Sequence, residues 1–167
     1  MKKLIVFMAP PGAGKTEFAE YLCSRHDNAI IINKNHFVKN NLEYSESAYD
    51  HMINRWLKEE NAYVIIDSYT LLYQDRVELF KHLNLEDVEI IGVWIETSRE
   101  EADRRNSQKP KELQPSAKTM DFLYKYRISP KEGEPFTDVV YISRDANVGI
   151  SISQPYMTTA LGALERI

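Results

Sequence analysis

The first sixteen residues constrain the fold more strongly than any other part of the sequence. A short apolar run, Leu4 to Ala9, leads directly into two prolines, two glycines, a lysine and a threonine, so that residues 9–16 read APPGAGKT. This segment fits the phosphate-binding loop pattern of four variable positions before Gly-Lys-Ser/Thr, with Ala9 in place of the first glycine. A secretion signal is the alternative, because two lysines precede the apolar run, but the run is short and no small-residue cleavage site closes it. The sequence therefore favours a strand followed by a phosphate-binding loop.

The residue types in this loop predict a nucleoside triphosphate and Mg²⁺ as ligands. Glycines allow the backbone amides to turn inward and surround a β-phosphate, and the helix that begins near Lys15 presents its positive end to the same phosphate. The Lys15 ammonium can bridge the β- and γ-phosphates, and the Thr16 hydroxyl is a natural ligand for a hard cation. We expect the phosphates to be bound by Pro11, Gly12, Ala13, Gly14, Lys15 and Thr16.

Length and composition narrow the class of protein. A chain of 167 residues with 43% apolar and 28% charged residues is typical of one globular domain, and we expect a single domain over residues 1–167. No apolar run approaches the length of a membrane span, and a single cysteine excludes an internal disulfide or a cysteine-based zinc site. The net charge of −4 argues weakly against a general duplex-DNA binder. A cytoplasmic location is the default expectation.

Predicted strands and helices alternate along the chain. The predicted strands are Lys3–Met8, Ala29–Ile32, Ala62–Asp67, Val88–Ile95 and Asp138–Ile142, and the predicted helices are Lys15–Arg25, Glu46–Glu60, Gln74–Leu83, Ser98–Asn106 and one from Pro115 or Ser116 to about Tyr126. This alternation predicts a three-layer α/β fold with a five-stranded, mainly parallel sheet and helices on both faces. Ligands of such folds bind beyond the carboxyl ends of the strands, where Ala9, Asn33, Asp67 and Glu96 are expected. After Ser143, residues 150–152 could form a short strand and residues 157–165 a short helix.

The segment from Arg104 to Lys131 is strongly basic, and only Glu112 and Asp121 oppose its positive charge. A solvated helix face and a lid that closes over phosphates explain this charge about equally well.

Four segments resemble the P-loop kinases of the polynucleotide 5′-hydroxyl kinase type, and more widely the small kinases grouped with zeta toxins. They read APPGAGKT, IIINKNHF, VIIDSYTLLYQDR and RRNSQKPKELQPSAKTMDFLYKY, and RISPKEGEPFTDVVYI extends the match to Ile142. The resemblance implies a P-loop kinase fold with a short lid at about residues 99–115 and a tail at residues 143–167. It implies ATP and Mg²⁺ as cofactors, and transfer of the γ-phosphate to a hydroxyl of a nucleic acid end, a nucleotide or a nucleoside-like acceptor.

The resemblance also implies roles for individual residues. Arg105 corresponds to the lid arginine that steadies the transferring phosphate, and Lys109 stands where a second lid arginine is frequent. Asp67 is expected to act as base or, with Thr16, as metal ligand because it ends a predicted strand on the same rim as the phosphate loop, and Lys15, Asp67 and Arg105 form the expected catalytic set. The residues expected to bind the acceptor are Lys34, Asn35, His36, Tyr69 and Tyr73.

Two residues depart from the pattern of that group. Asn35 stands where the general base is an aspartate, and asparagine cannot accept a proton at neutral pH; Val38 replaces an arginine that binds an acceptor phosphate. Either Asp67 or His36 could serve as base, or positioning alone could suffice, because phosphoryl transfer has a loose transition state. A small-metabolite or modified-base kinase, and an ATP-binding regulator without transfer activity, remain the alternatives.

Overall fold

The computed structural model describes residues 1–33, 45–67, 70–144 and 167, and in these ranges the strands and helices alternate as predicted. The strands are β1 (Lys2–Met8), β2 (Ala29–Ile32), β3 (Tyr63–Ile66), β4 (Val88–Thr97) and β5 (Asp138–Arg144). The helices are α1 (Lys15–Ser24), α2 (Glu46–Trp56), α3 (Tyr73–Lys81), α4 (Arg99–Asn106) and α5 (Ala117–Tyr126), and a single 3₁₀ turn (Lys111–Leu113) separates α4 from α5. The strand and helix predicted after Ser143 lie outside the described residues.

The five described strands form one sheet in the order β2-β3-β1-β4-β5, and every neighbouring pair is parallel. Strand β1 is central because Leu4 to Met8 are all apolar and fully buried, which suits a strand that is covered on both faces. In register, Ile5 pairs with Ile65 of β3 on one side and with Ile91 of β4 on the other. The prediction of a mainly parallel five-stranded sheet is confirmed.

Alternate residues of β1 pack against helices on opposite faces of the sheet. Ile5 and Phe7 belong to the same buried cluster as Phe18 and Leu22 of α1. Leu4 and Val6 belong to a second cluster, which contains Ile53 of α2 and Leu79 of α3. This two-sided burial produces the predicted three layers. Among the described helices, none is both long enough and apolar enough to cross a membrane.

A buried ion pair joins α3 to the loop before β5. Arg76 has no exposed surface, and its Nε and Nη2 atoms donate to Glu134 at 2.6 and 3.2 Å. Its Nη1 atom donates to the carbonyl oxygens of Thr70 and Leu71, at 2.9 and 3.3 Å. Thr70 in turn donates to the carbonyl oxygen of Phe7 at 2.7 Å, so Arg76 holds the segment after β3 against the central strand.

We expect Glu134→Gln to destabilise the protein by about 3 kcal/mol at pH 7, because it leaves the buried Arg76 charge without a counter-ion. Burial favours the neutral acid, but hydrogen bonds from Arg76 and the Lys131 amide outweigh it and hold the Glu134 pKa below its usual 4.5. A carboxyl with a lowered pKa stabilises the folded state above its unfolded pKa, and this contribution is lost as the pH falls through the folded pKa. The difference in unfolding free energy should therefore be largest near neutral pH and shrink below about pH 4.5. Urea unfolding of the wild-type protein and Glu134→Gln measures this difference, and Glu132→Gln, at an exposed position, is the control. Equal stabilities of wild type and Glu134→Gln at pH 7 would contradict a stabilising role of the Arg76–Glu134 pair.

Candidate active site

A cleft of ≈ 1440 Å³ lies beyond the carboxyl ends of β1, β2 and β3. The loop after β1 lines it, and so do Asn33 and Asp67, the residues directly after β2 and β3, as predicted. Arg105 and Lys109, from the predicted lid, line it as well. Residues of α2 and α3 also line it.

The loop between β1 and α1 has the backbone conformation that its glycines allow. Gly12 and Gly14 have φ angles of 94° and 85°, a region that residues with a side chain rarely adopt. The Ala13 amide donates to the carbonyl oxygen of Pro10 at 3.2 Å, and Gly14 is the N-cap of α1. The amino end of α1 therefore lies at the cleft, where the helix dipole favours an anion.

Helix α4 packs against this loop and binds two of its carbonyl groups. Arg105 Nε donates to the carbonyl oxygen of Gly12 at 2.7 Å, and the buried Asn106 donates from Nδ2 to that of Pro11 at 2.9 Å. The two backbones are so close that a Cβ atom at Gly12 would lie 2.6 Å from the carbonyl oxygen of Ala102. Sequence reasoning did not assign this role to Asn106; its only signal was its place beside the lid arginine.

Four polar side chains converge at the mouth of the loop. Lys15 Nζ lies 3.5 Å from Asp67 Oδ1, and the Thr16 hydroxyl donates to Asp67 Oδ2 at 3.0 Å. Asn33 Nδ2 donates to the same oxygen at 3.3 Å. Burial lowers the Lys15 pKa; the neighbouring Asp67 opposes this shift, and the positive charge of Lys109 adds to it. A bound anion would stabilise the charged form of Lys15 at this point.

The oxygen atoms of Thr16 and Asp67 fit a magnesium ion. Magnesium prefers hard oxygen ligands, and proteins commonly hold it with one or two side chains while phosphates and waters complete its shell. The Thr16 hydroxyl and the Asp67 carboxylate already lie side by side, next to the place where the phosphates would bind.

Two residues of the predicted lid add positive charge near the loop. Besides its bond to Gly12, Arg105 donates from Nη2 to Glu17 of α1 at 3.0 Å. Burial and the nearby Arg105 charge lower the Lys109 pKa. Lys15, Arg105 and Lys109 thus form a cationic group around the loop, as the resemblance implied.

Most of the residues expected to bind the acceptor lie outside the part of the chain that the structure describes. Lys34, Asn35, His36 and Tyr69 lie outside the described residues. Tyr73 begins α3, is 41% exposed and has its ring 4.4 Å from Lys131 Nζ; it is not among the described residues that line the cleft.

Two helices supply cleft residues that sequence reasoning missed. Their shared feature is polar residues at spacings of three and four: Ser47, Asp50, His51 and Asn54 on α2, and Asp75 and Glu78 on α3, with His82 directly after that helix. Polar residues at spacings of three and four also occur on solvated helices, so the sequence held no signal that these stripes face a common cavity.

We expect Gly12→Ala to weaken ATP binding at least about tenfold, because the added Cβ must displace the loop from α4. Gly133→Ala is the matched control: its φ angle is 93°, but an added Cβ there would meet no described atom within 4 Å. Both variants carry the conformational strain, about 1–2 kcal/mol, and only Gly12→Ala carries the collision. Calorimetric titration with ATP separates the two effects, and equal affinities in the two variants would contradict the close packing of loop and helix.

Residues 4–127 match a family model, AAA_33, described as an AAA domain. No curated protein matches significantly. Among solved structures, a fungal RNA kinase is 15% identical, with a TM-score of 0.67 and 98% of this chain and 83% of that chain covered. A gluconokinase from Sinorhizobium meliloti is 15% identical, with a TM-score of 0.57 and coverage of 98% and 92%. Chaetomium thermophilum Kti12, solved with ADP-AlF3, is 13% identical, with a TM-score of 0.60 and coverage of 93% and 94%.

At these identities the solved structures establish the fold. The family model covers most of the chain, and it includes the phosphate-binding loop, Asp67 and the lid residues. The chain therefore belongs to the AAA_33 family of AAA domains, and its predicted resemblance to the small P-loop kinases is confirmed.

Proposed function

We propose that this protein is an ATP- and Mg²⁺-dependent kinase that transfers the γ-phosphate to an acceptor hydroxyl. The observation that carries the proposal is the convergence of Lys15, Thr16 and Asp67 at a glycine-shaped loop, with a large cleft extending beyond them. In the reaction, the acceptor oxygen forms a bond to the γ-phosphorus while the bond to the β,γ-bridging oxygen breaks. ADP leaves with that electron pair, and the hydroxyl proton passes to a base or to water.

Side chains of this protein would bind the phosphates and stabilise the charge that moves during transfer. Lys15 binds the β- and γ-phosphate oxygens in place of Asp67 and follows the charge as it moves. Arg105 is tied to Gly12 and Glu17, beside the loop, and can turn toward the transferring phosphate once the anion is bound. Magnesium held by Thr16 and Asp67 would neutralise the charge that develops on the phosphate oxygens.

Among the described residues, Asp67 is the one best placed to accept the proton or to hold the metal. Its side chain is 4% exposed and contacts both Lys15 and Thr16. The roles of Asn35 and His36 stay predictions, as do the cytoplasmic location and the single-domain organisation with its tail at residues 143–167.

The acceptor suggested by the sequence is a nucleic acid end, a nucleotide or a nucleoside. The second candidate is a small metabolite, and one observation favours it: beyond the phosphate loop and lid, the described walls of the cleft carry Asp50, Asp75 and Glu78 but no lysine or arginine. A nucleic acid end brings further phosphates, which these carboxylates would repel.

We expect Lys15→Ala to abolish turnover, because it removes the ammonium group at the mouth of the loop that would bind the β- and γ-phosphate oxygens. ADP formation in the presence of a broad acceptor panel measures this, and Lys58→Ala, at an exposed position after α2, is the control. Normal turnover by Lys15→Ala would overturn the site assignment. Binding of MgATP by the wild-type protein, without transfer to any acceptor, would instead support the regulator.

We expect Asp67→Asn to lower kcat at least about 100-fold, whether the carboxylate acts as base or as metal ligand. The same variant should bind ATP no more weakly than wild type when EDTA removes the metal, because Asp67 no longer competes for Lys15. Calorimetry and steady-state kinetics together measure the two effects. An unchanged kcat would mean that Asp67 is neither the base nor a metal ligand and only pairs with Lys15.

A further inference from the structure

Helix α5 carries a basic and aromatic surface that the proposed active site does not use. Its exposed side bears two lysines, Lys118 and Lys125, and two aromatic rings, Phe122 and Tyr126. These residues follow one another at helical spacing and lie on one face, whereas the opposite face buries Leu123. None of the four is among the described residues that line the active-site cleft. The positive charge of the basic segment therefore divides between the lid and a second surface.

The two rings of this face present a large apolar area to solvent. Phe122 and Tyr126 are 51% and 52% exposed, and their ring centroids lie 4.9 Å apart. Lys125 Nζ lies 5.2 Å from the centroid of the Tyr126 ring. Single exposed apolar residues are common on soluble proteins, but two adjacent exposed rings beside an ammonium group combine a stacking surface with positive charge.

The positive charge of this face is available for an anionic ligand. Asp121 is the one acidic residue of α5, and it accepts from Arg99 Nη1 at 2.6 Å. In the part of the chain that the structure describes, neither Lys118 nor Lys125 forms an ion pair. Phosphate groups are the anions that such exposed lysines bind in nucleic acids.

A second cavity, of ≈ 480 Å³, lies next to the carboxyl end of α5. Its lining residues come from the last residues of β4 and β5 and from the segment directly after α5, and they include Trp94, Glu96, Arg127, Ser129, Tyr141 and Ser143. Among the described residues, this cavity and the active-site cleft share none. Because Arg127 follows Tyr126 directly, the cavity adjoins the exposed face of the helix.

The chemistry of this cavity suits a neutral, planar group. Arg127 Nη1 lies 2.6 Å from Glu96 Oε1, and Trp94 Nε1 donates to Glu96 Oε2 at 3.0 Å, so the two charges at the cavity balance. Tyr141 is 59% exposed, and its ring offers a stacking surface. The Ser129 hydroxyl can donate and accept hydrogen bonds. A nucleobase has a flat face that stacks on such rings and a polar edge that forms hydrogen bonds.

The cavity and the active-site cleft lie at the same edge of the sheet, where the parallel strands end. Trp94 packs with Leu123, whereas Val93 and Ile95 belong to the cluster that contains α1, so the cavity lies on the α5 side of the sheet. Strand β4 separates β5 from β1, which places β5 about 10 Å from the strand that leads into the phosphate loop. A polymer bound at the cavity could therefore extend to the cleft.

We propose that the exposed face of α5 and the adjoining cavity bind a single-stranded nucleic acid. One base enters the cavity and stacks on Tyr141, and neighbouring bases stack on Tyr126 and Phe122. Lys118 and Lys125 bind phosphates of the same strand. Proteins that bind single strands combine stacking rings and positive charge in this way. The proposal goes beyond the kinase function, and only the use of the bound strand as acceptor would rest on that function.

The first test measures binding by the full chain. Fluorescence anisotropy with labelled oligouridylate and oligothymidylate gives the dissociation constants, and a duplex of the same length and polyglutamate serve as comparison ligands. We expect the single strands to bind more tightly than the duplex, with an affinity that falls as the salt concentration rises. The tighter of the two strands distinguishes RNA from DNA as the partner. No binding of either strand would overturn the proposal, and so would equally tight binding of polyglutamate, which would indicate an acidic polypeptide instead.

The second test removes the rings from α5. Phe122→Ala combined with Tyr126→Ala should weaken binding of the preferred strand at least about tenfold, because the stacking surface is lost. Trp56→Ala is the matched control, since Trp56 is an exposed aromatic residue at the end of α2 that does not line the described cleft. Thermal unfolding shows that each variant is folded. An unchanged affinity in the folded double variant would overturn the proposal.

The third test removes the charge. Lys118→Gln combined with Lys125→Gln should weaken binding and make it less dependent on salt, because fewer phosphates are neutralised. Lys58→Gln combined with Lys81→Gln removes the same charge from exposed positions elsewhere and is the control. Equal salt dependence in the two double variants would contradict a role of α5 in phosphate binding.

The fourth test examines the cavity. Tyr141→Ala should weaken binding of the strand at least about tenfold, whereas Tyr141→Phe, which keeps the ring, should retain most of the affinity. Equal affinities in these two variants would overturn the assignment of the cavity. A weaker affinity of Tyr141→Ala for MgATP would assign the cavity to the base of ATP and would overturn it as well. None of these measurements requires phosphate transfer, so failure of this proposal is distinguishable from failure of the wild-type protein to bind MgATP, which would overturn the proposed function.

Discussion

Two hydrogen bonds from α4 to the backbone of the phosphate loop determine the geometry of the whole site. The carbonyl groups of Pro11 and Gly12 accept from Asn106 and Arg105, so their bonds fix the peptide planes next to the amides that would face a phosphate. The charged donor at Gly12 contributes about 1.5–3 kcal/mol, and its loss would leave a partly buried carbonyl less well satisfied. Because α4 follows β4 directly, and β4 pairs with β1, α4 and the loop are connected to the same central strands.

The site also depends on the balance of charge around Lys15. A buried ammonium group is costly without a counter-ion, and the carboxylate of Asp67 provides one at 3.5 Å. At such a distance two unit charges attract with roughly 4 kcal/mol in a medium of intermediate dielectric constant. Triphosphate binding can exchange this partner for a more highly charged one, and a metal ion then compensates Asp67. The site is thus assembled before its ligand arrives, with Asp67 in the place of an anion.

The parts of the structure that local sequence patterns determine were predicted well. Strand β1, the glycine loop and the start of α1 follow from adjacent residues, and the rim position of Asp67 follows from the end of a buried strand. The rest depends on contacts between distant residues. Arg76 ends VIIDSYTLLYQDR, one of the segments that resemble the kinases, yet it binds Glu134, 58 residues further along the chain, and is not among the described residues that line the cleft. The wall formed by α2 and α3 was missed for the same reason, since its polar stripes resemble those of solvated helices until the sheet order brings them together.

The central claim is that the loop at residues 11–16 holds a polyphosphate at the edge of the sheet, with the acceptor cleft beyond it. A crystal structure with Mg²⁺ and a non-hydrolysable ATP analogue tests this claim most directly. We expect the β-phosphate to accept hydrogen bonds from the loop amides, Lys15 to leave Asp67 for the phosphates, and the γ-phosphate to point toward α2 and α3. An analogue bound elsewhere, or a γ-phosphate directed away from that cleft, would contradict it.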